Sequence, residues 1–133
     1  MDFSSVNMIA IIVAAVVSMA IGAAWYGVLG KPWMAAVGKP KETFKPTPGP
    51  FIIAFVCQLI MAWMLAGVIG HLGDITVVRS LISALFVWFG FVVTTMLVNH
   101  RFQAASWSLS LIDGGHWLGV LLCMGLVIGL FGA

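Results

Sequence analysis

Apolar positions in this chain come in long unbroken runs, not in alternation and not on one helical stripe. Four stretches without a charged residue cover residues 3–30, 46–70, 80–99 and 114–133. About 20 apolar residues span the hydrocarbon core of a bilayer as a helix, so each stretch is long enough to cross it. A membrane β-barrel would instead show segments of about 10 residues with apolar and polar positions alternating. In lipid a helix satisfies its own backbone groups, which makes helices the form these runs must take. The pattern predicts an all-α integral membrane protein. Its four transmembrane helices fall at about residues 5–29, 48–71, 77–100 and 107–131 of a single domain over residues 1–133.

Composition agrees. Charged residues make up 8% of the 133-residue chain and the mean hydropathy is +1.16. A soluble domain carries about 25% charged residues. The first run has only Asp2 ahead of it, with no Lys or Arg, and it exceeds the apolar core of a signal peptide. It is expected to be a retained span.

The connections are unequal. Residues 30–47 hold Lys31, Lys39, Lys41 and Lys45 against Glu42 alone. Pro32, Pro40 and Pro46 argue against a regular helix there. The other two connections, around Gly73 and Asp74 and around Arg101 to Ser106, are short. Neighbouring spans are then antiparallel, and the simplest arrangement is an up-down four-helix bundle. The first and third connections share one side and hold five of the six Lys and Arg residues, and the opposite side holds only Arg79. Basic residues near span ends stay in the cytoplasm. The 30–47 loop is therefore expected in the cytoplasm and both termini outside it.

Glycines mark faces for close packing. Gly22 lies in the first span; Gly115 and Gly119, then Gly125 and Gly129, lie in the fourth, each pair four residues apart. Such spacing lets two helix backbones approach, either within the bundle or between two copies of the chain. Trp25, Tyr26, Trp33 and Trp107 fall near the cytoplasmic ends of spans. They read either as an interfacial anchoring belt or as a stacking surface for a ligand. Trp63, Trp88 and Trp117 lie deeper and read as packing residues. Cys57 and Cys123 sit at different depths, so a disulfide between them is not expected.

The embedded polar residues are the candidates for chemistry. Asp113 has apolar sequence on both sides. It lies about 9 Å into the fourth span at 1.5 Å per residue. A carboxylate at a helix centre costs about 2.5–3.5 kcal/mol on insertion scales, so it must face protein or water. His116 follows one turn later on the same face. Histidine titrates near neutral pH, so the pair can move a proton or simply clasp neighbouring helices. Asn99, His100 and Arg101 end the third span on the same side, and an Asp113–Arg101 ion pair across the third connection is within reach. Gln58 shares the depth of His116 and can hydrogen-bond it. Ser18, Thr94 and Thr95 can satisfy themselves on their own helices. No nucleophile-and-base pair, no Cys-x-x-Cys pattern and no phosphate-binding loop occurs in the sequence. Catalysis, a metal, a cofactor and nucleic-acid binding are not expected.

Gly22-x-x-Trp25-Tyr26, Leu29-Gly30-Lys31-x-Trp33-Met34, Leu97-Val98-Asn99-His100 and the segment from Leu111 to Trp117 together resemble a small bacterial membrane-protein family. It is catalogued as domain of unknown function 1761. The resemblance runs over about residues 8–131. It implies four spans, a bacterial inner-membrane location and no assigned activity. It maps the family's motif onto Trp25, Tyr26, Trp33, Asn99, Asp113 and Trp117, and implies tyrosine where this chain has His116.

The residues point to a non-catalytic bundle that self-associates or joins a larger membrane complex. Trp25, Tyr26, Asn99, Arg101, Asp113 and His116 are expected to latch its spans. The alternative is a channel or transporter subunit with a polar or proton path at Asp113 and His116. One expectation is testable at once. Cysteine placed at Lys41 should react with an impermeant thiol reagent only from the cytoplasmic side, and cysteine at Asp74 only from the other. Labelling of both from one side would overturn the bundle topology.

Overall fold

A computed structural model describes residues 6–132; Asp2 and the expected first-span start at residue 5 lie outside them. Four helices long and apolar enough to cross a membrane make up nearly all of it. They are α1 (Met8–Val37), α2 (Pro48–Leu72), α3 (Val77–Phe102) and α4 (Trp107–Phe131). Among the described residues there is no strand. The chain is thus an all-helical membrane protein with four spans.

The ends of the helices follow from local chemistry. Asn7 opens α1, its side chain accepting from the N–H groups of Ile9 and Ala10 at 3.0 and 3.3 Å. Gly38 closes it in the left-handed region (φ 73°), where an L side chain is strained, and its N–H bonds the Met34 carbonyl at 3.1 Å. Pro48 occupies the first position of α2, where a missing N–H costs nothing. Thr76 caps α3 through the Arg79 N–H. Ser106 caps α4 through the Leu109 N–H at 3.1 Å and donates its own hydroxyl to the Ala36 carbonyl of α1 at 2.8 Å. One serine therefore starts α4 and ties it to the end of α1.

One boundary departs from expectation. α1 does not stop near residue 29 but continues through Pro32 to Val37, so the lysine-bearing connection shrinks to residues 38–47 and Lys31 sits on the helix. Proline removes one backbone hydrogen bond and crowds the preceding turn, yet the turns beyond it are anchored to α4 at Trp33 and Ala36. Tertiary contacts outweigh the local defect. At 1.5 Å per residue the helix is roughly 45 Å long, more than the hydrocarbon core needs. Trp25 and Tyr26 consequently lie three turns from its end, not one. The other three spans begin where the sequence pattern places them and end within two residues of it.

The bundle is a ring in which α4 packs on both α1 and α3, and α2 closes the other side. α4 is its spine: 44% of its most apolar window is buried, against 11% for α3. The dry core lies in the half that carries the second connection. Ile11 of α1, Leu65 and Ile69 of α2, Ala84 of α3, and Leu121, Met124 and Ile128 of α4 are among its members. α3 contains a π-helical segment over Trp88–Val93, and beyond it Thr94 and Thr95 donate back to the carbonyls of Gly90 and Phe91. Ser18 likewise donates to Ala14 at 2.7 Å.

Both glycine faces of α4 are used inside the bundle. A methyl on Gly129 would lie 2.6 Å from the Val77 Cα, and one on Gly125 would lie 2.7 Å from the Ser80 carbonyl oxygen. α3 therefore lies backbone against backbone on α4. Gly119 faces Ile21 at 3.6 Å and Gly115 faces Trp25, both of α1. The reading of these faces as a seam between two copies gives way to packing within one. Gly129→Ala is expected to cost about 1–3 kcal/mol by overpacking and to lower the unfolding temperature in detergent. Gly27→Ala, with nothing within 4 Å of the added methyl, should leave it unchanged. Equal unfolding temperatures for the two variants would refute the close α3–α4 contact.

Candidate functional site

At the end of the bundle opposite the dry core, one turn of α4 collects donors from two other helices. The Asp113 Oδ1 accepts from the Tyr26 hydroxyl at 2.7 Å and from the Trp33 indole N–H at 3.2 Å. The Trp25 indole donates to the Ile112 carbonyl at 3.0 Å, and the Trp88 indole to the Gly114 carbonyl at 2.9 Å. Those carbonyls belong to a helix and already serve its own ladder; a carbonyl oxygen has a second lone pair for the indole. Three tryptophans and a tyrosine thus bind three consecutive residues of α4. α1 supplies three of the donors and the π-helical start in α3 supplies the fourth.

Glycine makes the approach possible. A methyl on Gly115 would stand 2.8 Å from the Trp25 ring, whose N–H is already committed to Ile112. A methyl on Gly114 would stand 3.1 Å from Met96, and one on Gly22 would stand 3.1 Å from the His116 ring. His116 is 5% exposed and sits among rings. Its centroid is 4.9 Å from that of Tyr26 and 4.7 Å from that of Trp117. Tyr26 touches both Asp113 and His116: the hydroxyl serves the acid and the ring packs on the imidazole.

Of the six residues expected to latch the spans, four meet here: Trp25, Tyr26, Asp113 and His116. Asn99 does not; it is exposed near the end of α3. That helix is joined instead through Trp88, which reads from the sequence as a packing residue. Arg101 does not pair with Asp113 either. Its Nη2 donates to the carbonyls of Ala105 and Ser106, each at 3.2 Å, and to the Ser110 hydroxyl at 2.8 Å. The guanidinium lies 3.6 Å over the Trp107 ring, and His100 Nδ1 lies 2.7 Å from the same Ser110 hydroxyl. Arg101 binds the turn that follows it because the carbonyls there are close in sequence, whereas Asp113 already has donors from α1. Gln58 and His116 do not hydrogen-bond each other either: Gln58 Oε1 and His116 Nδ1 are both buried without a partner among the described residues.

Trp33 reads from the sequence as an interfacial aromatic and a motif residue, and the structure adds it to the Asp113 cluster. It follows Tyr26 by seven residues, two helical turns on the same face, but the pairing shows only if the helix runs through Pro32. Trp88 carried no such signal. Among the described residues no three His, Cys, Asp or Glu side chains cluster as a metal site would need.

A cleft of about 600 Å³ opens beside the cluster, between α1, the start of α2 and α4. Tyr26, Trp33, Phe51, Asp113, His116 and Trp117 line it. The family described as Protein of unknown function (DUF1761) matches residues 9–129, and the chain belongs to it. No curated protein and no solved structure matches the chain.

The hydrogen bonds at Asp113 carry a measurable expectation. Tyr26→Phe keeps the ring and removes one donor, at about 0.6 kcal/mol and no more than about 1.7 kcal/mol. Gly115→Ala drives a methyl into the Trp25 ring and should cost more, about 1–3 kcal/mol. Unfolding in detergent measures both. A Tyr26→Phe protein as stable as the parent would show that this contact holds nothing.

Proposed function

We propose that this DUF1761 protein is a non-catalytic bundle of the bacterial inner membrane, acting by association as a self-associating unit or an accessory subunit of a larger complex. Its Asp113 cluster is a latch in this reading. One observation supports it above the others: the only acid in the apolar part of α4 spends one oxygen on two donors from α1, within a turn whose carbonyls hold Trp25 and Trp88. Breaking that turn loosens three helices together. The five basic residues Lys31, Lys39, Lys41, Lys45 and Arg101 lie at the same end. With that end in the cytoplasm, they face the anionic inner leaflet, where each lysine gains about 1 kcal/mol.

The rival reading is a channel or transporter subunit with its path at Asp113 and His116. The cleft beside these residues favours it; the far half of the bundle does not. There Ile69, Val120, Met124 and Ile128 are at most 2% exposed and fill the interior. A path through one subunit would have to part that packing.

Proteoliposomes under a pH gradient distinguish the two. The latch reading expects no proton flux that depends on Asp113. Flux in the parent that disappears in a folded Asp113→Asn protein would reject it. Native mass spectrometry from detergent is expected to show more than one copy or a co-purifying subunit; a bare monomer from native membranes would remove the association.

A further inference from the structure

We propose that the cleft beside Asp113 binds an organic ammonium carrying an apolar chain. The reading rests on the latch only in that Tyr26 and Trp33 hold Oδ1; it needs no view of what the bundle associates with.

The second oxygen of Asp113 is the starting point. Both donors go to Oδ1, and Oδ2 receives none among the described residues. Asp113 nonetheless lines the cleft. A carboxylate oxygen near hydrocarbon without a donor calls for a cation or water. The rings supply the remainder of the site. Trp33, Tyr26, His116 and Trp117 form a continuous row, with successive centroids 6.0, 4.9 and 4.7 Å apart. Phe51 of α2 lines the same cleft. Aromatic faces attract cations through the ring quadrupole, more strongly where water is excluded. The volume falls within the range of small-molecule sites, about 300–1,000 Å³.

The same features select against a metal ion. Calcium takes six to eight oxygen ligands and magnesium holds several waters; the cleft offers one free carboxylate oxygen among rings and aliphatic side chains. An alkylated ammonium spreads its charge over methyl or methylene groups and loses little on leaving water. Its chain can follow Phe51, which lines the cleft and is 64% exposed. The chemistry is shared by a free cationic amphiphile and by the amino headgroup of a lipid.

The test uses the purified full chain in dodecyl maltoside. Decyltrimethylammonium, decyl sulfate and decyl glucoside are titrated while tryptophan fluorescence is followed, since Trp33 and Trp117 border the site. Only the cation is expected to saturate. Asp113→Asn retains a carbonyl oxygen for Tyr26 and Trp33 and removes the charge; it should weaken binding at least about tenfold, the equivalent of about 1.4 kcal/mol, with the unfolding temperature little changed. Asp113→Glu should keep most of the affinity. Trp88→Phe removes a latch donor that lies outside the cleft; it should loosen the bundle yet bind within a few fold of the parent, which separates failure of the latch from failure of the site. Displacement of the probe by phosphatidylethanolamine would assign the natural ligand to a lipid headgroup, and its absence to a free amphiphile. Equal response to all three head groups, or an Asp113→Asn protein that binds like the parent, would overturn the proposal.

Discussion

A carboxylate held inside a hydrophobic medium must be answered by donors, and most of this architecture follows from how Asp113 is answered. Its Oδ1 takes two hydrogen bonds from one helix. That requirement brings α1 onto α4 at a fixed rotation and depth. It also explains why α1 continues past Pro32: Trp33, one residue on, is one of the two donors. The proline weakens the helix locally, and the acid supplies a reason to continue it.

The indole N–H is the recurrent device. Trp25, Trp33 and Trp88 each place a broad apolar ring in the bundle and a single donor at its edge. In water such a donor would have many competitors. In lipid its alternatives are few, and a helix carbonyl with a spare lone pair becomes a useful partner. Glycines at positions 22, 114 and 115 are the counterpart. At Gly115 a Cβ would hold the Trp25 ring away from α4, at Gly22 one would hold the His116 ring away from α1, and at Gly114 one would press on Met96 of α3. Polar satisfaction and small-residue packing are thus one arrangement, not two.

The two ends of the bundle divide the work. One end is close-packed, with α3 lying on the glycines of α4 and a dry aliphatic core between the four helices. The other end is looser and polar, with the Asp113 cleft on one side and the Arg101 turn on another. Arg101 is occupied by Ser110, two carbonyls and the Trp107 ring, so the acid and the arginine serve separate structures although both stand at the same end. The far end is the closely packed one, and the near end carries the polar side chains.

Sequence by itself determined the medium, the number of spans and three of the four span boundaries to within two residues. Each of these is a sum over neighbouring residues: a segment is apolar enough to enter lipid, or it is not, whatever the rest of the chain does. It also pointed to Trp25, Tyr26, Asp113 and His116, since a buried acid has to find polar company. Tertiary structure decided which company. Tyr26 and Asp113 are 87 residues apart, and helical spacing says nothing across that distance. The rotation of α1, its passage through Pro32, the choice of Trp88 over Asn99 and the retention of Arg101 by its own turn all depend on which faces meet. Those are properties of the packed bundle, where competing partners are compared in space and not along the chain.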